Sequence, residues 1–180
     1  MDNCQALRIA NGHFAGLLRG MGDDGWELAT PCSEWNVRDL VRHVVAGHAA
    51  LVSGLTGEQV VPGEGDTFDE WVARVERVIE RPGVLERTVR NKVFGELSGD
   101  AAVRVRWSDT YVHVWDLAQA LGAEFTPDQA LAEAALEWLE PLGPGLSATG
   151  QFQAVPDPGP GTDAFTRMLA LTGRDASRGV

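Results

Sequence analysis

The 180-residue chain carries 26 Asp and Glu against 15 Lys and Arg, a formal net charge of −11, with 44% hydrophobic and 23% charged residues. That suits one globular domain able to bury a core. The acidic balance argues against a nucleic-acid or anionic-membrane surface, because either needs a basic stripe. No apolar run approaches the roughly 18–20 residues that span a bilayer. The N-terminal segment has no basic stretch followed by an apolar one, and Cys4 and Cys32 are too few for a disulfide framework. The expected location is therefore the cytoplasm, with both thiols reduced.

Apolar residues at Leu7, Ala10, Phe14, Leu17 and Leu18 predict a first helix from about Asp2 to Arg19. Gly22, Gly25 and Pro31 punctuate the stretch beyond it. Asn36 is a good N-cap, with Asp39 three residues on, and a second helix runs from Val37 to about Ser53. Its apolar stripe is Val37, Leu40, Val41, Val44, Val45, Leu51 and Val52. Residues 54–65 read as a loop. Phe68, Trp71, Val72, Val75 and Ile79 share one face of a third helix over Thr67–Glu80, stopped by Arg81-Pro82-Gly83. Weak alternation over Val84–Leu97, with Asn91-Lys92 near its middle, reads as a small hairpin or irregular excursion. A fourth helix runs from Ala101 to Leu121. A fifth runs from Pro127 to about Leu139, with Thr126 as its cap. The proline- and glycine-rich stretch 141–161 reads as a loop or strap, before a last short helix over Phe165–Leu171. The expected fold is all-α: an antiparallel four-helix bundle in a single domain over 1–180, with 141–180 as a C-terminal extension.

The fourth helix carries the chemistry. Val103, Trp107, Tyr111, Val114, Ala118 and Leu121 fall on one face, and Asp109, His113 and Asp116 on the other, at i, i+4 and i+7. Side chains at i and i+4 lie about 5–6 Å apart, so Asp109 and His113 can reach one metal ion. Solvent exposure would explain such a face just as well, but Trp107–Gly122 contains no Lys, Arg or Glu, and Val105, Val112 and Ala120 sit on the polar side. A helix apolar nearly all round is buried, and buried carboxylates need a partner. A divalent metal is the economical one; Arg42 or Arg38 from another helix is its rival. A third ligand comes from elsewhere. His48 lies on the stripe of the second helix, His43 at its edge, and His13 beside Phe14 reads as structural or surface-exposed. Spacing alone leaves His43 and His48 both open.

Thr30-Pro31-Cys32-Ser33-Glu34-Trp35-Asn36-Val37-Arg38-Asp39-Leu40-Val41-Arg42-His43 resembles the second-helix signature of DinB/YfiT-like metal proteins. The closer resemblance is to the actinobacterial branch related to mycothiol-dependent maleylpyruvate isomerase. Asp109-Thr110-Tyr111-Val112-His113-Val114-Trp115-Asp116-Leu117 is similar to that branch's acid-x-x-x-His-x-x-Asp-Leu signature, and Phe165–Asp175 to its usual C-terminal ending. The resemblance implies a four-helix bundle holding a divalent metal through His43, Asp109 and His113, and so favours His43 over His48, which periodicity keeps as the alternative ligand. Asp116 would orient a ligand or a basic partner. Asp109 stands where the isomerase relatives usually have Glu, one methylene longer.

Two histidines and a carboxylate with an open position make the ligand set of a catalytic zinc site, and nickel suits the same donors. Such a metal polarises a carbonyl or lowers the pKa of a thiol. The resemblance implies mycothiol, or a similar low-molecular-weight thiol, as cosubstrate. The expected activity is thiol transfer or isomerisation on a small electrophile. The partners would be small molecules, with no nucleic acid and no membrane, and a homodimer as an option. A non-catalytic metal- or ligand-binding bundle is the alternative. A plain bundle in which Asp109, His113 and Asp116 satisfy buried arginines is the third reading. Cys32 precedes a helix cap with nothing basic beside it, which makes it a weak candidate nucleophile.

Overall fold

The structure, a computed structural model, describes residues 1–32, 34–143, 158–159 and 161–176. Most of the expected strap over 141–161 lies outside the described residues. The chain divides into two compact units, 1–121 and 122–180.

In the first unit, helices α1 (Asn3–Gly20), α2 (Val37–Thr56), α3 (Phe68–Ile79) and α4 (Gly99–Leu121) form the bundle. α1 packs on α4 and α3, and α2 on α3 and α4, so the four helices close a ring around one core. The stripes expected from the spacing face it: Leu7, Ala10 and Phe14 of α1, Leu40 and Val44 of α2, and Trp71 and Val75 of α3 are each at most 1% exposed. Burying a Leu or Phe side chain contributes roughly 1.5–3 kcal/mol. The buried indoles keep hydrogen-bond acceptors, as that ring requires: Trp71 Nε1 donates to Asp66 at 3.0 Å, and Trp107 Nε1 to Asn3 Oδ1 at 2.9 Å.

The caps reflect local chemistry. Asn36 and Asp39 form a reciprocal capping box at the start of α2, and Thr67 and Glu70 form another at the start of α3. Helix α2 runs three residues beyond the expected Ser53, ending at Gly57, whose φ of 79° terminates it in the left-handed region. The Ser53 and Thr56 hydroxyls donate back to Ala49 O and Val52 O, which keeps both compatible with helix. The excursion is a hairpin: β1 (Thr88–Asn91) pairs antiparallel with β2 (Gly95–Ser98). The Asn91 side chain accepts from Val93 N and Phe94 N to close its turn.

In the second unit, α5 (Gln129–Leu139) packs on α6 (Ala164–Leu171). Its cap is Asp128, not Thr126: the Asp128 carboxylate accepts from Leu131 N, so the helix starts beyond Pro127. Asp163 caps α6 in the same way, through Thr166 N. No helix among the described residues is long and apolar enough to cross a membrane.

Candidate metal centre

Helix α4 is buried nearly all round. Trp107, Ser108 and every residue from Thr110 to Ala118 are buried, including His113 and the fully enclosed Asp116. Asp109 is the one partly open position in that run, with a side chain 33% exposed. Helix α2 packs on α4 here, with Gly47 opposite Arg106. Ahead of α2, a loop is closed by an antiparallel bridge between Ala29 and Asn36, with Thr30 N donating to Trp35 O at 3.0 Å. That loop lays the Trp35 ring against His43, centroids 4.9 Å apart, and within 6.1 Å of His113.

Three side chains converge. His43 Nε2 is 3.4 Å from Asp109 Oδ2, and His113 Nε2 is 3.7 Å from the same oxygen. One ligand atom from each of His43, Asp109 and His113 lies within 4.8 Å of the others. A tetrahedral ion with bonds of about 2.1 Å holds its ligand atoms about 3.4 Å apart, so the cluster has the right dimensions for a divalent cation. The donor atoms also have the right character. His43 Nε2 is buried and makes no well-formed hydrogen bond, an arrangement that costs free energy unless something fills it. His113 Nδ1 lies 2.8 Å from Asp116 Oδ2. Asp116 accepts the Nδ1 proton, which leaves the lone pair on Nε2, toward Asp109. This is the orientation a metal-binding imidazole needs.

Asp109 also faces a cation. The Arg106 guanidinium, one turn earlier on α4, donates to Asp109 Oδ2 through Nη2. Burial works to raise the Asp109 pKa, but Arg106, with His113 and His43 adding to it, outweighs burial and holds the carboxyl well below its usual range. Arg106 reaches this place because α2 has a glycine opposite: a Cβ on Gly47 would stand 1.2 Å from Arg106 Nη1. The cations expected from the second helix lie elsewhere. Arg42 is exposed beside Asp39, and Arg38 pairs with Glu27 and covers the Trp26 ring. Arg106 escapes a sequence reading because the interval of α4 without Lys, Arg or Glu begins at Trp107, one residue after it. Its spacing of three from Asp109 is the signal that could have found it.

His48 does not join the cluster. It is fully buried, with Nδ1 2.8 Å from Val44 O and Nε2 3.0 Å from the Asn11 side chain. Desolvation, with Arg106 nearby, lowers its pKa to about 3, against the Val44 carbonyl, which favours the proton. It is a neutral ring with both nitrogens engaged. His13 stands apart too, its ring 6.3 Å from Tyr111. Cys32, in contrast, lies at the back of the site, with Sγ 3.2 Å from Asp116 Oδ2. Cys32, His113 and Asp116 form a second group of potential ligands, sharing His113 with the first.

Residues 7–87 match the family model described as mycothiol maleylpyruvate isomerase N-terminal domain. Two uncharacterized proteins of Mycobacterium tuberculosis, from two strains, are each 30% identical over 165 residues, covering 89% of this chain and 90% of the relative. Among solved structures, a histidine-to-alanine mutant of mycothiol-dependent maleylpyruvate isomerase aligns with a TM-score of 0.61 at 17% identity. That alignment covers 76% of this chain and 66% of that one. At this identity the likeness is one of fold.

Proposed function

Since the chain belongs to the mycothiol maleylpyruvate isomerase N-terminal domain family, we propose that it binds a divalent cation through His43, Asp109 and His113 and uses it in thiol-dependent transfer or isomerisation of a small electrophile. The observation that carries this reading is the buried His43 Nε2, which makes no well-formed hydrogen bond and converges with His113 Nε2 on Asp109 Oδ2. Arg106 supplies a charge partner for Asp109, but it leaves that imidazole nitrogen unanswered. When bound, zinc or nickel with an open position would lower the pKa of a thiol and polarise a carbonyl.

The remaining roles belong to this chain. His43 and His113 offer imidazole nitrogens from two different helices, so the bundle itself sets their separation. Asp109 stays ionised and contributes charge. Asp116 holds His113 in the required tautomer. Trp35 covers one flank of His43 and keeps water from that side. The thiol would be mycothiol or a related low-molecular-weight thiol, the setting cytoplasmic and the partners small molecules, with a homodimer as one assembly consistent with this reading. The matched isomerase shares about two thirds of its own length with this chain, so the proposal is thiol activation rather than that enzyme's particular substrate.

Elemental analysis after expression with ample zinc or nickel tests the metal. The expected result is one ion per chain in the wild type, with His43→Ala and His113→Ala each weakening binding by at least about 100-fold, more than loss of an orienting partner costs. A metal-poor wild type would reject the reading. The Arg106–Asp109 pair favours a plain bundle in which that carboxylate satisfies a buried arginine, and a metal-poor wild type would support it. A non-catalytic metal-binding protein is the other alternative to the proposed activity. Thiol-dependent consumption of an electrophile, abolished by His113→Ala, separates the two.

A further inference from the structure

A fully buried carboxylate has to be satisfied by donors, and at Asp116 two of them meet on one oxygen from two different parts of the chain. His113 Nδ1 lies 2.8 Å from Oδ2, and Cys32 Sγ lies 3.2 Å from the same atom. His113 shares α4 with Asp116, one turn away. Cys32 belongs to the loop ahead of α2. That loop is itself tied down: the Thr30 hydroxyl reaches Cys32 O at 3.2 Å and Trp35 O at 3.0 Å, and Trp35 N donates to Cys32 O at 3.1 Å. The sulfur is thus delivered by a fixed backbone.

We infer that Cys32 is a positioning residue for the metal centre: its S–H donates to Asp116 Oδ2 and, with His113 Nδ1–H, pins that carboxylate in the one rotamer that aims His113 Nε2 at Asp109. This deepens the proposed function and rests on its reading of His113 as a ligand. The sulfur's partner is an anionic oxygen, so the hydrogen resides on sulfur and the group acts as a thiol donor, neither nucleophile nor ligand. The Cys32, His113 and Asp116 group could instead be a second metal site. The 2.8 Å approach of His113 Nδ1 to Asp116 favours the hydrogen bond, since two ligands of one ion stand farther apart than that. A thiol suits this position: it is small, a weak donor, and adds no strong competing acceptor to a dry pocket. Losing it removes one of the donors that hold the carboxylate and so loosens the imidazole at one remove, the way partners behind metal ligands act.

Cobalt(II) titration of the wild-type full chain, Cys32→Ser and Cys32→Ala tests the relay, using competition with a chromophoric chelator and absorption spectra. The expected result is one cobalt per wild-type chain, without the near-ultraviolet thiolate-to-cobalt charge-transfer band. Affinity should fall about tenfold in Cys32→Ala, the lower end of what such partners contribute, and Cys32→Ser should recover most of it, because a hydroxyl can donate to the same oxygen. Equal affinities in wild type and Cys32→Ala, or an alanine-like serine variant, overturn the inference. A thiolate band overturns it as well, because Cys32 would then be a ligand. If the wild type takes up no cobalt, the metal reading fails while the relay remains testable on the metal-free protein. There the ring Nδ1 proton of His113, followed by NMR, should be protected from exchange in wild type and Cys32→Ser and lose that protection in Cys32→Ala. Unchanged protection in Cys32→Ala overturns the relay.

Discussion

At His48, burial decides chemistry that residue type alone leaves open. A histidine on the apolar stripe of a helix can serve as ligand, base or filler. Here both ring nitrogens are engaged inside the core, and its pKa falls to about 3 from 6.5. The consequence for stability has a definite sign. Between those two values the unfolded chain binds a proton that the folded chain refuses, so stability falls as pH drops from about 6.5 toward 3. From pH 6.5 to about pH 4.5 this residue should cost about 2 kcal/mol. Asp109, whose pKa is depressed below 3.8, contributes its own pH dependence only beneath that window. Urea unfolding across the window should show the slope in wild type and lose it in His48→Gln; equal slopes would refute the assignment. Asp109 shows the opposite balance: its environment supplies cationic and imidazole partners in excess of the cost of burial, so it stays ionised.

Between helices, the α2–α4 contact is shaped by one missing methyl group. Gly→Ala inside a helix ordinarily stabilises by about 0.5–1 kcal/mol. At Gly47 a Cβ would occupy the space of Arg106 Nη1, so Arg106 would have to leave and Asp109 would lose its hydrogen-bonded cation. Gly47→Ala is expected to destabilise by about 2–4 kcal/mol, somewhat less than the roughly 3–5 kcal/mol of breaking a fully buried charge pair, because the Asp109 side chain is 33% exposed. In an Arg106→Met background the same change should become neutral or stabilising, since the obstacle is gone. Chemical denaturation of the four proteins reads this coupling directly; additive effects would show that Arg106 is not what Gly47 accommodates. The capping boxes at Asn36–Asp39 and Thr67–Glu70 belong to the same scale. They depend on residues three apart, which explains why the starts of α2 and α3 are legible in the sequence. The start of α5 is not, because Thr126 and Asp128 both qualify as caps, and only the structure shows which one bonds.

Taken as a molecule, the bundle brings the proposed ligands together from two of its helices, so a cation bound there would be linked to the fold by mass action. An ion that binds only the folded chain adds about 2.7 kcal/mol when present at 100 times its dissociation constant. For a chain of this length that is a rise in Tm of roughly 5–10 °C. Scanning calorimetry with added zinc or nickel should show the rise in wild type and none in His113→Ala. A shift that survives His113→Ala would place the binding elsewhere. In a chain of net charge −11, Arg106 is a buried cation that offsets the charge on Asp109.

By itself the sequence determined the all-helical bundle, the faces its helices bury, and the pairing of Asp109 with His113 on one side of α4. All of these depend on intervals of three and four residues along a single chain. Tertiary structure shows which histidine of α2 approaches that pair, His43 as the family resemblance implied and as spacing did not decide, because His43 and His48 are five residues apart and differ by packing rather than by pattern. It also decided that Arg106 fits against Gly47 and that Cys32 reaches Asp116 across 84 positions. Contacts between distant segments are set by how helices cross, and no local periodicity records that.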